Sequence, residues 1–169
     1  MKKLFIYIAI LLSLSTVCAQ ERFTVGISSG LPDANTHNDT YDYALNIGAH
    51  IELQTPTIYL RARTYYFPSL NGLGYFDLDG GVGLNWRSEY DNHRVFAGGF
   101  TGLINRDSAW HPKFGLELGY EWYISDGFYV GFIADTQYKH DDKVWRHTDS
   151  GHNVQSLNFT VGYSWYYKK

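Results

Sequence analysis

From Arg22 to the end, the chain alternates apolar and polar residues with a period of two, in eight stretches separated by breaks rich in Gly, Pro, Asn and Asp. The pattern predicts strands over 22–30, 41–53, 57–67, 75–87, 94–105, 113–124, 128–139 and 154–167. Most are 9 to 14 residues long, beyond the usual strand of a soluble sheet and within the reach of a tilted membrane-spanning strand. In the second stretch Tyr43, Leu45, Ile47, Ala49, Ile51 and Leu53 share one face, while Asp42, Asn46, Gly48, His50 and Glu52 share the other. The sixth sets Phe114, Leu116, Leu118, Tyr120 and Trp122 against Lys113, Gly115, Glu117, Gly119 and Glu121. Only the fifth leaves its faces undecided, because Phe96, Phe100 and Ile104 alternate with Ala97, Gly99 and Thr101 and neither set is charged.

Composition narrows the class. Of 169 residues 44% are apolar and 18% aromatic against 18% charged, which is not a disordered composition. No apolar run after residue 17 is long enough for a membrane helix. The beginning reads as an export signal: Lys2 and Lys3, an apolar stretch from Leu4 to Leu14, then small residues to Ala19. Cleavage is expected between Ala19 and Gln20, giving a signal peptide over 1–19 and one domain over 20–169; a lipidated Cys18 is the rival reading. Cys18 is the single cysteine, so its removal excludes disulfides, thiol nucleophiles and Cys-ligated metals from the domain. Losing Lys2 and Lys3 makes the domain more acidic than the whole chain's net charge of −3, which argues against a nucleic-acid partner.

Eight alternating strands fit a soluble lipocalin-like barrel with its apolar face inward as well as a membrane barrel with that face outward. Four features choose the second. The polar face is rich in Gly and in charges of both signs, which suits a crowded narrow lumen. The apolar face gathers aromatics at two rims: Phe23, Trp86, Trp122, Phe128, Trp165 and Tyr167 at one, Tyr43, Tyr66, Phe76, Phe114 and Tyr138 at the other. The breaks at 54–56, 88–93 and 125–127 are short and fall on one side; residues 31–40 and 140–153, on the other, are long. Finally, Thr160, Gly162, Trp165 and Tyr167 follow the spacing of the C-terminal assembly signal of bacterial outer-membrane barrels, with Lys168 and Lys169 appended. The mature chain therefore resembles the small OmpA/OmpX-type outer-membrane barrels. The resemblance implies an all-β, eight-stranded antiparallel up-and-down transmembrane β-barrel, inserted from the periplasm by the barrel-assembly machinery into outer-membrane lipid. It implies no activity.

Candidate chemistry concentrates on the polar face. Arg61 and Arg63 of the third stretch point into the lumen; adjacent hairpins set Arg63 level with Asp77 and Asp79, and Arg61 level with His50 and near Glu52. Lys113, Glu117, Glu121, Asp135 and Lys139 point inward from the far wall. Buried charges must be paired, so this set reads as a structural ionic plug; a narrow conduit for protons or small ions is the functional alternative. Five histidines, His37, His111, His140, His147 and His152, are expected in exterior loops with several aspartates, yet without a tight metal-ligand spacing, and no metal or cofactor is assigned. His152 and Ser156 fall about two residues too far apart for the His-x-Ser pair of barrels that deacylate lipid A, and Glu117 and Glu121 are the nearest inward acids. The expected function is a non-enzymatic outer-membrane barrel whose exposed loops serve structural or interaction roles, with no exterior partner named by the sequence. The alternatives are a lipid A-modifying hydrolase and a secreted lipocalin-like binding barrel.

Overall fold

The computed structural model describes residues 21–32, 45–70, 73–106, 109–139 and 153–168. The expected signal peptide, and most of both long loops, lie outside them. Eight antiparallel strands run β1 (Glu21–Pro32), β2 (Asn46–Gln54), β3 (Ile58–Leu70), β4 (Leu73–Arg87), β5 (His93–Arg106), β6 (Ala109–Tyr123), β7 (Phe128–Lys139) and β8 (Asn153–Lys168). Each pairs with the next, and β8 returns to β1 with partners running from Pro32 and Ser156 to Arg22 and Tyr166, so the sheet closes into a barrel. Closure removes every free strand edge, which is the condition for a strand protein to sit in lipid.

Alternation fixes which residues point where. In β2 the side chains are exposed and buried in strict turn, Asn46, His50, Glu52 and Gln54 inward and Ile47, Ile51 and Leu53 outward. The outward set carries most of the apolar residues: Leu116 is 65% exposed and Phe159 68%, while Arg61 and Arg94 are among the most buried side chains. This is the reverse of a lipocalin-like barrel. The aromatic rims take shape as stacked pairs, Phe23 on Trp165 at the end that holds both termini and Phe114 on Tyr138 at the other. Tyr43, and the side chain of Tyr167, lie outside the described residues.

Three local expectations change. Strand β2 begins at Asn46 rather than 41, and residues 41–44 fall outside the described residues. Strand β6 begins at Ala109, which takes His111 out of its expected loop and into the sheet opposite Ile104. The connections expected over 68–74 and 106–112 shorten, since β3 and β4 are separated by two residues, as are β5 and β6. Turn chemistry explains the near end, where Gly127 takes a left-handed φ of 109° and its carbonyl accepts from the Ser164 N–H at 2.8 Å.

The undecided β5 is settled by its neighbours. Arg94, Phe96, Phe100 and Ile104 point inward and Val95 and Leu103 outward. Room for the Phe96 ring comes from Gly119, its cross-strand partner, where a Cβ would strike that ring.

In a bilayer, Val161→Arg at the middle of β8 should cost about 2–4 kcal/mol, the charge of a hydrocarbon-facing site near the midplane. Val161→Leu should fold as the parent does. Urea titration of folding into vesicles measures both, and equal midpoints for the two variants would mean that this face does not meet lipid.

Candidate functional site

The lumen is filled by a connected layer of charge. Arg61, Arg63, Arg94 and Lys113 meet Glu52, Asp77, Asp79, Glu117, Glu121 and Asp135, every one of them buried. Strands β2 to β7 each supply members, and the antiparallel register sets them side by side, Glu52 with Arg61, Arg63 with Asp79, Arg94 with Glu121 and Glu117 with Asp135.

Glu117 sits at the junction. It accepts from Arg63 Nη1 at 2.7 Å, from Arg61 Nη1 at 3.2 Å and from the Tyr59 hydroxyl at 2.6 Å. Arg61 Nε also donates to Glu52 at 2.6 Å, and Glu52 is held on its other oxygen by Arg94 at 2.8 Å. Arg94 reaches both oxygens of Glu121 at 2.9 Å, and the Tyr123 hydroxyl donates to Glu121 at 2.9 Å. Arg63 Nε donates to Asp79 at 2.6 Å, while Lys113 spans Asp77 at 2.9 Å and Asp79 at 2.7 Å. Such sharing supplies Glu52, Asp79, Glu117 and Glu121 with more than one donor each, which is what a buried charge needs to offset lost hydration.

Aromatic rings complete the packing. The Phe96 ring lies 4.3 Å from the Arg61 guanidinium and 4.4 Å from that of Arg94, and Phe100 lies 4.2 Å below Arg63. Planar guanidinium on a ring keeps its edge free for carboxylates while its face is desolvated, an arrangement that lysine cannot copy. Above the layer, between Asp77, Lys113, Asp135, Gln137, Ser156 and Asn158, there remains a cavity of about 10 Å³, room for one water.

Of the expected set, Glu52, Arg61, Arg63, Asp77, Asp79, Lys113, Glu117, Glu121 and Asp135 come together, with changes in who meets whom. His50 lies opposite Arg63 rather than Arg61, and Arg61 lies opposite Glu52. The His50 ring bonds the Tyr129 hydroxyl at 2.8 Å. Arg63 pairs with Asp79, and Asp77 pairs with Lys113. Asp135 stands 3.9 Å from Arg63 and accepts from Gln137 at 3.1 Å. Lys139 pairs with Lys113 along the backbone, and its side chain is outside the described residues.

Sequence reasoning missed Arg94, Phe96 and Phe100, all on the undecided strand; Arg94 two residues before Phe96 was the available signal. It also missed a second polar group at the termini end, made of Arg22, Gln54, Arg87, Asp91, Tyr123 and Tyr166. Of the histidines expected in loops, His37, His140, His147 and His152 lie outside the described residues. Ser156 is buried and accepts from Asn158 Nδ2 at 3.2 Å, while Glu117 and Glu121 are bound to arginines and unavailable to it. Among the described residues, no three His, Asp or Glu side chains are grouped to hold a metal.

No protein-family model matches the chain, and no curated protein sequence does. Solved structures match. Neisserial surface protein A superposes with a TM-score of 0.60 at 6% identity, over 89% of this chain and 100% of that one. The N-terminal β-barrel domain of Pseudomonas aeruginosa OprF gives 0.54 at 13% identity, over 88% and 100%. The fold is that of the small outer-membrane barrels. The outer-membrane enzyme PagL gives 0.51 at 12% identity, over 83% and 98%, so the same scaffold serves both catalytic and other roles.

Glu117→Ala should be costly, about 3–5 kcal/mol, because it strips a shared counter-ion from two buried arginines. Asp126→Ala, in the exposed β6–β7 turn, should stay within about 0.5 kcal/mol of the parent. Urea unfolding midpoints compare them, and equal values would contradict an energetic role for the ionic layer.

Proposed function

We propose that the chain is a non-enzymatic protein of the bacterial outer membrane, a closed barrel that holds its outer loops, 31–40 and 140–153, at the cell surface for structural or interaction roles. The observation that carries this reading is the filled lumen: among the described residues its arginines and carboxylates are spent on one another, and the cavity between Asp77, Lys113, Asp135 and Ser156 holds about one water. A conduit needs a connected wet path, and a hydrolase needs an acid, a base and a nucleophile free to meet substrate. Here Glu117 and Glu121 are committed to arginine, and Asp135, the carboxylate paired across from Ser156, accepts from Gln137 and stands 3.9 Å from Arg63.

The ionic layer acts in this reading as a structural filler that fixes strand register. The partners are outer-membrane lipid around the apolar belt and the barrel-assembly machinery at the terminal strand; nucleic acid is not among them. Export by a cleaved signal over 1–19 brings the chain to that machinery.

Purified protein in planar bilayers is expected to give no unitary conductance steps at neutral pH, and to leave purified lipid A fully acylated. Reproducible steps would replace the plug by a conduit, and released acyl chains would replace the anchor by a hydrolase. Recovery of the native chain in the soluble periplasmic fraction would remove the membrane assignment itself.

A further inference from the structure

The second polar group lies where the ionic layer does not reach, at the mouth of the barrel that holds both termini. In ring order the β4–β5 turn stands opposite the seam where β8 closes onto β1, four strands away in either direction. A turn at that place ordinarily touches only its own hairpin. This one reaches the seam. Asp91, 69 residues from Arg22 and 75 from Tyr166 in the chain, bonds both, accepting from the Tyr166 hydroxyl at 2.7 Å and pairing with the Arg22 guanidinium.

Three features show that the reach is built in. Asp91 holds a φ of 57°, the one described non-glycine residue in the left-handed region, a conformation that aspartate tolerates better than most and that turns its side chain across the opening. Arg87, on the same hairpin, takes the other Asp91 oxygen at 2.9 Å. The Arg22 guanidinium is fixed between two rings, 4.1 Å from Tyr166 and 4.9 Å from Tyr123. Beside the crossing lies a half-open cavity of about 220 Å³, lined by Arg22, Asp91, Tyr123 and Tyr166 and by the β6–β7 turn. The turn is also tied to β6, since the Tyr123 N–H donates to the Asn92 carbonyl at 2.8 Å.

We infer that Asp91 is a latch: one carboxylate holds the β4–β5 turn across the termini-side mouth of the barrel, over a half-open cavity, and neutralising that carboxylate releases the turn and opens the mouth. The charge balance makes the device single-keyed. The ion pairs that the structure records for Arg22 and for Arg87 both end on Asp91, so its loss leaves two guanidiniums facing each other across the opening. Asp126 lines the same cavity from the β6–β7 turn, and Gln54, Asn92, Ser125 and the Tyr90, Tyr123 and Tyr166 hydroxyls are further polar groups around it.

The latch is sensitive to acid in a defined direction. Partial burial alone would raise the Asp91 carboxyl, but the Tyr166 hydroxyl and the charges of Arg87 and Arg22 outweigh it and hold the group below the usual carboxylate range. A carboxyl lowered in the folded state lends its full stabilisation above its ordinary value, and that contribution is lost as the pH falls through the lowered one.

The test is amide hydrogen exchange on the folded barrel in detergent, followed at Tyr123, whose N–H the turn protects, and at Gly81 and Arg63 in the middle of the barrel. At neutral pH Asp91→Asn should speed exchange at Tyr123 at least tenfold and leave Gly81 and Arg63 unchanged. Tyr166→Phe, which removes one donor and no charge, should do the same to a smaller degree and serves alone if Asp91→Asn does not fold. As the pH is lowered below the carboxylate range, parent and Asp91→Asn should converge at Tyr123. Equal rates at neutral pH, a gap that persists in acid, or acceleration spread to Gly81 and Arg63 would each overturn the latch.

Discussion

Eight strands enclose a lumen only wide enough for side chains, and that single geometric limit governs the rest of the molecule. An apolar belt wide enough to meet lipid takes one residue of every two in each strand. The residues left over must fill a narrow tube without water. Glycine is one solution, giving up volume where a neighbouring ring needs it, as Gly119 does for Phe96. Paired charge is the other. A guanidinium flanked by carboxylates and capped by a ring occupies a large volume while keeping its hydrogen bonds, and Arg61, Arg63 and Arg94 all follow that plan.

The same limit explains why the charges are shared rather than arranged as separate pairs. Glu117 serves Arg61 and Arg63, Glu52 serves Arg61 and Arg94, and Lys113 serves Asp77 and Asp79. Isolated pairs would satisfy fewer donors and would leave neighbouring strands free to slip by two residues. Linked pairs across six strands tie each register to the next, since a slip in one strand would leave several charges unpaired.

How far the sequence discloses this depends on the scale of the question. The period of two, the long strands and the rims of aromatics are local or strand-wide properties, and they place all eight strands within a few residues of their observed bounds, β2 and β6 excepted. The inward charges are equally legible, because parity alone sets their face. Pairing is less so: the hairpin that joins β2 to β3 is one residue pair different from the simplest assumption, and that moves His50 from Arg61 to Arg63. The face of β5 is marked among its own residues only by Arg94, two before Phe96. Phenylalanines read as lipid-facing until the arginines of β3 are known to stack on them. Asp91 is hidden for a different reason, since a turn residue acquires its partners only when the barrel closes and brings Arg22 and Tyr166 across the mouth.

The account depends on the apolar face being the outer one, and the most direct measurement is lipid-phase quenching of a single-tryptophan variant that keeps Trp165. Trp165 is exposed on the outer wall of β8 and stacked on Phe23 near the termini-side rim. In vesicles of brominated phospholipid its fluorescence should be strongly quenched, while aqueous iodide should have little effect. A folded barrel whose Trp165 is untouched by the brominated chains would contradict the arrangement and place the ring inside.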